Sequence, residues 1–150
     1  MKLVLDASVA LKWFFRARAE EPDVDIALDL LRGVAGGAVE LLQPPHFVAE
    51  VSAVLSREAP EHAPRDLRDL LDIAFRTRDD AAVYARAMKL AIDLDHHLFD
   101  TLYHAVAVET PGAVFVTADA RYLAKTKGAA QVCALANAAA LLAGPAQRGQ

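Results

Sequence analysis

Short apolar runs alternate with longer stretches of helical periodicity along this chain. Lys2 to Leu5 is an apolar run closed by Asp6 and reads as a buried strand. Ser8 stands where a residue would cap a helix from Val9 to Phe15. Pro22 opens a second helix with Ala27, Leu30, Leu31 and Val34 as its stripe, and Gly33, Gly36 and Gly37 end it. Val39 to Leu42 can form a second strand, and Pro44 and Pro45 start a helix with Phe47, Val51, Val54 and Leu55 on one side. The prolines within residues 59–64 mark a loop. The following helix carries Leu67, Leu70, Leu71 and Ala74 at helical spacing. Another runs from about Asp80 to Leu94 with Tyr84, Ala87, Met88 and Ala91 on its face, and a third covers Leu98 to Glu109. Pro111-Gly112 is a turn before the buried strand Ala113 to Thr117, and Asp119 is placed to cap a helix from Ala120 to Lys125. Gln131 to Cys133 reads as a last short strand and Ala134 to Leu142 as a final helix, with a frayed tail from Gly144.

Buried strands alternating with helices predict an α/β domain, its parallel sheet covered on both faces. Ligands of such sheets sit beyond the carboxyl ends of the strands. Asp6 and Asp119 each follow a strand directly, so the pattern places both at that edge.

Length and composition agree with one such domain, residues 1–143, followed by the tail. At 150 residues and 55% hydrophobic content the chain can bury a sizeable core. No apolar run is long enough to span a membrane. Asp6 and Lys12 interrupt the apolar N-terminus, which argues against a signal peptide and for a protein that stays in the cytoplasm. Cys133 is the single cysteine, so neither an intrachain disulfide nor a zinc-ligand pattern exists, and its apolar neighbours predict an inert core thiol. The formal charge of −4 argues against a basic nucleic-acid coat. Residues 1–18 are nevertheless net +3 and residues 119–127 net +2, while residues 79–100 are net −3. An acidic protein with local basic patches can bind a polyanion when a divalent metal neutralises its acidic centre.

Four acids need an explanation. Asp6 abuts a buried strand, a costly place for a carboxylate that is not paired, capping or metal-bound. Glu50 follows Phe47 by three residues and precedes Val54 by four, along the apolar side of its helix, where Arg57 or His46 can pair with it. Asp100 lies in the first turn of an otherwise apolar helix, which the helix dipole alone can account for. Asp119 is a good N-cap, and capping leaves its second oxygen for other work. If the four converge, mutual repulsion raises their pKa values and a hard divalent cation relieves it. Oxygen-only ligands favour Mg²⁺ or Mn²⁺, ions suited to phosphodiester hydrolysis.

The segments VLDASVALKWF, PPHFVAEVSAVL, FDTLYHAVAV and FVTADARYL, in that order, resemble the PIN-domain family and, within it, the VapC-type toxins. The resemblance runs from Leu3 to about Leu142 and implies a three-layer α/β/α domain with a central, mainly parallel sheet. It implies that Asp6, Glu50, Asp100 and Asp119 are catalytic, metal-holding acids, that Thr117 orients Asp119 or touches the metal shell, and that Ser8 hydrogen-bonds nearby. It further implies Mg²⁺- or Mn²⁺-dependent cleavage of RNA, inhibition by a cognate antitoxin, and a homodimer. Many relatives carry Asn three residues after the helix Glu, where this chain has Ala53.

The competing reading is a PIN-like RNA- or protein-binding module with weak or no nuclease activity, motivated by Ala53. A phosphotransferase built on Asp6 expects a second acid two residues on, where Ser8 stands instead. Lys12, Arg16, Arg18, Arg121 and Lys125 are the candidate phosphate contacts, with Lys12, Arg16 and Arg121 foremost. His96 and His97 read as solvated loop residues, and Tyr84 and Met88 as core. Trp13, Phe14 and Phe15 cannot all face one core, so at least one is expected at the surface.

Overall fold

The computed structural model describes residues 1–144. Its strands are β1 (Lys2–Leu5), β2 (Glu40–Gln43), β3 (Arg76–Thr77), β4 (Ala113–Thr117) and β5 (Val132–Ala134). Its helices are α1 (Ala7–Phe14), α2 (Val24–Ala35), α3 (Phe47–Glu58), α4 (Ala63–Asp72), α5 (Ala81–Leu94), α6 (Leu98–Val108), α7 (Ala120–Lys125) and α8 (Ala139–Leu142). The sheet is parallel throughout, in the order β3-β2-β1-β4-β5. From β1 the chain moves outward through β2 to β3, then returns past β1 to β4 and β5. Right-handed crossovers therefore put α1 to α4 on one face and α5 to α7 on the other. The strand order reverses between β1 and β4, where a crevice opens at the carboxyl ends of the strands.

Burial explains the central pair. Leu3, Val4, Leu5, Phe115 and Val116 are almost fully enclosed, and β1 and β4 pair in register from Lys2↔Ala113 to Leu5↔Val116. The Trp13 indole N–H donates to Ala27 O at 2.8 Å and fastens α1 to α2. Phe15 is buried under the Arg18 guanidinium, 3.7 Å above its ring, and Phe14 is the partly exposed member of the aromatic run.

Several expected boundaries and faces shift. Asp6, not Ser8, holds the N-cap position of α1, and α2 begins at Val24 after Asp23 rather than at Pro22. Gly33 lies inside α2 because the helix passes close to the chain before β2: a Cβ there would stand 2.9 Å from Val39 Cγ2. α4 begins within the expected loop, turns Asp66 and Leu70 inward, leaves Leu71 exposed and stops before Ala74. On α5 the inward stripe is Val83 and Ala87, so Met88, 57% exposed, and Tyr84 lie outside the core. That one-residue rotation follows from the close packing of α5 on α6, where Thr101 Oγ1 donates to Ala87 O at 2.8 Å. The expected final helix is split because Ala134 pairs with Thr117 as a strand residue; a 3₁₀ turn over Leu135–Asn137 precedes α8. The two-residue β3 has no apolar signature and exists through its pairing with Leu42 and Gln43. Cys133 is half-buried on β5, and burial pushes its thiol pKa up. No helix among the described residues is long and apolar enough to cross a membrane. Of the expected tail, residues 145–150 lie outside the described residues.

Candidate metal centre

Asp6 marks the crevice between β1 and β4. Its backbone N–H donates to Val116 O at 3.0 Å, extending the central ladder by one step. It occupies the N-cap position of α1, yet its side chain makes no capping bond. Oδ2 instead accepts from Ser8 Oγ at 2.5 Å and from Thr117 Oγ1 at 3.0 Å. Helix capping therefore does not account for this carboxylate. Burial lifts its pKa from 3.8 to about 6; the two hydroxyls pull it down, and Glu50 and Asp100 push it further up.

Glu50 comes from the first turn of α3 and Asp100 from the first turn of α6. The amino-terminal turns of both helices thus lie at the cluster, and their partial positive charge offsets part of the crowding of negative charge. One oxygen from each of Asp6, Glu50 and Asp100 lies within 4.8 Å of the others. Asp119 is not part of that trio. Its Oδ1 caps α7, accepting from the N–H groups of Arg121 at 2.9 Å and Tyr122 at 3.1 Å. It enters a second group of the same tightness with His96 and Asp100, so Asp100 is common to both.

Hydroxyls and imidazoles hold these acids. Thr117 Oγ1 accepts from Asp119 N–H at 3.0 Å while donating to Asp6, and so links the two strand-end acids. Ser8 Oγ accepts from Ala118 N–H at 3.1 Å. His46 Nε2 lies 3.1 Å from Glu50 Oε2, the partner foreseen for that acid. His96 Nε2 lies 2.7 Å from Asp100 Oδ2, and the His96 side chain is only 4% exposed, edge-on to the Tyr122 ring. This corrects the reading of His96 as a solvated loop residue; its four-residue spacing from Asp100 was the available signal. Buried Gln43 was also missed, because it ends an apolar strand; its Nε2 donates to Leu5 O at 2.9 Å and steadies the chain just before Asp6. Tyr103 and Tyr122 border the cluster as neutral phenols: burial raises both pKa values and the nearby carboxylates raise them further. Ala53 is exposed and brings no polar group to the centre.

The candidate phosphate contacts separate by position. Lys12 is 5% exposed, with its Nζ committed to Glu21 at 2.8 Å, so burial removes it from the surface bases. Arg16 is exposed beyond the far end of α1, beside Asp66 and Asp69 of α4. Arg18 pairs with Glu58. Arg121 is exposed in the first turn of α7, two residues from Asp119, and Lys125 Nζ donates to Asp95 O. A cavity of about 470 Å³ opens on the centre, lined by His46, Ala49, Glu50, His97, Phe99 and Asp100. A second cleft between α3 and α4, about 390 Å³, is lined without any charged side chain.

Among the described residues, no Lys or Arg forms a salt bridge with Asp6, Glu50, Asp100 or Asp119. A buried acid with a raised pKa beside two further carboxylates, with no Lys or Arg paired to any of them, is a donor set that fits a divalent cation. Fold and site together define a nuclease-type α/β domain with an acidic cluster able to bind metal. The PIN domain family model matches residues 3–129, and the chain belongs to that family, whose members are generally nucleases that use divalent metals. The fold is similar to that in the crystal structure of PAE2754 from Pyrobaculum aerophilum, with TM-score 0.62, 24% identity and 96% of each chain covered. At that identity the likeness concerns the fold alone. No curated protein matches the chain by sequence.

Proposed function

We propose that this protein is a Mg²⁺- or Mn²⁺-dependent endoribonuclease that hydrolyses RNA phosphodiester bonds as the toxin of a type II toxin–antitoxin pair. The observation that carries the nuclease reading is the convergence of Asp6, Glu50 and Asp100 at the strand-order reversal, with no Lys or Arg among the described residues paired to them. These acids, with Asp119, would hold the cation. An oxygen-dominated donor set favours Mg²⁺, with Mn²⁺ as its closest substitute. When bound, the ion supplies activation of water and neutralisation of charge on the phosphoryl oxygens. The protein's own residues prepare the place for it. Ser8 and Thr117 fix Asp6 through one oxygen, His96 fixes Asp100, and His46 stands beside Glu50 while its Nε2–H donates to Phe99 O. Arg121, next to Asp119, contacts a phosphate flanking the cleaved bond, and Arg16 meets the strand farther out.

The toxin role, the cognate antitoxin, the homodimer and the cytoplasmic setting rest on the segments that resemble VapC-type toxins. The test is to purify the protein, incubate it with RNA and Mg²⁺ or Mn²⁺, and map the new RNA ends. Cleavage should disappear on chelation and in the Asp6→Ala and Asp100→Ala variants, with their circular dichroism unchanged. Full metal-dependent cleavage by the double variant would overturn the assignment. Brief expression in cells should arrest growth, and the Asp100→Ala protein should not.

A further inference from the structure

Phe99 is not used by the chemistry above. It directly precedes Asp100 in the first turn of α6, and the residue is 62% exposed. Its ring stands largely in water on the wall of the cavity that opens on the acidic centre. Its backbone, however, is firmly held. His46 Nε2–H donates to Phe99 O at 2.7 Å, and the same nitrogen lies 3.1 Å from Glu50 Oε2. The His46 ring stands 5.4 Å from the Phe99 ring and 4.9 Å from that of buried Tyr103. One imidazole thus ties the exposed ring to a site carboxylate and to the core. Phe99 also lines the 470 Å³ cavity together with Glu50, Asp100 and exposed His97.

We propose that Phe99 is a stacking platform for an unpaired nucleobase next to the scissile phosphate of the RNA bound at this centre. The proposal rests on the ribonuclease reading. A base offers a flat face to any aromatic ring, whatever its identity, so such a platform selects for strandedness rather than sequence. In a duplex both faces of each base are covered by its neighbours, whereas unpaired bases can turn outward onto a protein ring. The anchored Phe99 backbone fixes where the ring leaves α6, beside Glu50 and Asp100. The cavity lies between that ring and the acids, so a nucleotide stacked on Phe99 brings its own phosphate toward Glu50 and Asp100.

The test uses the full chain and single-stranded oligoribonucleotides carrying 2-aminopurine, whose fluorescence is quenched on stacking. Binding is read in stopped flow, before cleavage, with Ca²⁺ in place of Mg²⁺; cleavage is read with Mg²⁺. Wild type should quench the probe and bind single strands more tightly than duplex of the same sequence. Phe99→Ala should lose the quenching and bind roughly 5- to 150-fold more weakly, with the loss in KM rather than kcat and Mn²⁺ titration unchanged. Phe99→Trp should restore both readouts, and Phe99→Leu, equally apolar, should not. Equal binding and cleavage by Phe99→Ala would overturn the platform and leave the ring to a protein partner. Recovery by Phe99→Leu would overturn stacking as the cause. A wild type that cleaves RNA without quenching refutes only the platform; one that quenches without cleaving refutes only the nuclease reading.

Discussion

Asp6→Asn removes one negative charge from a position where burial, Glu50 and Asp100 all oppose it, and it keeps the side-chain shape with one oxygen for Ser8 and Thr117. Lifting a carboxyl from 3.8 to about 6 corresponds to about 3 kcal/mol against the ionised form at neutral pH. The hydroxyl bonds to Asn are weaker than those to a carboxylate, which returns part of the gain. The metal-free variant should therefore be about 1–3 kcal/mol more stable than wild type at pH 7.5. The sign follows from proton binding. Between pH 3.8 and about 6 folded Asp6 retains a proton that the unfolded chain has released, so wild-type stability from this group falls as pH rises and stays low above that window. The difference between variant and wild type should accordingly be small near pH 4 and fully developed above pH 6. Urea unfolding with chelator at both pH values measures it. With Mn²⁺ at about 100 times its Kd, wild type should gain about 2.7 kcal/mol, and the variant much less. A metal-free variant less stable than wild type at pH 7.5, or a difference that does not change with pH, would refute this account of the centre.

Thr117→Val removes the hydroxyl that joins Asp6 to Asp119 N–H, and should destabilise the fold by about 1–3 kcal/mol in urea titrations while weakening Mn²⁺ binding. His96→Ala frees Asp100 and should lower cation affinity by roughly 10- to 100-fold, by calorimetric titration; His96→Gln, which keeps a donor, should recover part of it. Arg121→Ala should reduce the salt dependence of RNA binding by about one unit of log–log slope. Lys12→Ala should leave that slope unchanged and cost about 2 kcal/mol of stability, because it strands Glu21.

The alternation of elements, the parallel sheet and the position of Asp6 and Asp119 at strand ends were legible in the sequence by itself. Strand burial and the residues that end a strand or start a helix are local matters, decided within a few neighbouring positions. The segments that resemble the PIN-domain family also named Glu50 and Asp100 as companions. What local pattern does not contain is the direction of a side chain. Asp6 and Asp119 hold equivalent cap positions, yet only Asp119 caps: Asp6 is drawn away by Thr117, 111 residues distant. Tertiary packing also decided that His96 is enclosed against Tyr122, that Lys12 is buried against Glu21, and that α5 turns Val83 rather than Tyr84 inward. Each outcome depends on which distant element fills the adjacent space. Ala134 shows the same competition: pairing with Thr117 made it strand where its helical surroundings favoured helix. The sequence alone thus determined which acids stand at the carboxyl edge of the sheet. Only the tertiary structure made a trio of Asp6, Glu50 and Asp100, set Asp119 beside Asp100 and His96, and held Phe99 exposed at the rim, because those distances arise from crossovers that bring remote helix ends over the β1–β4 crevice.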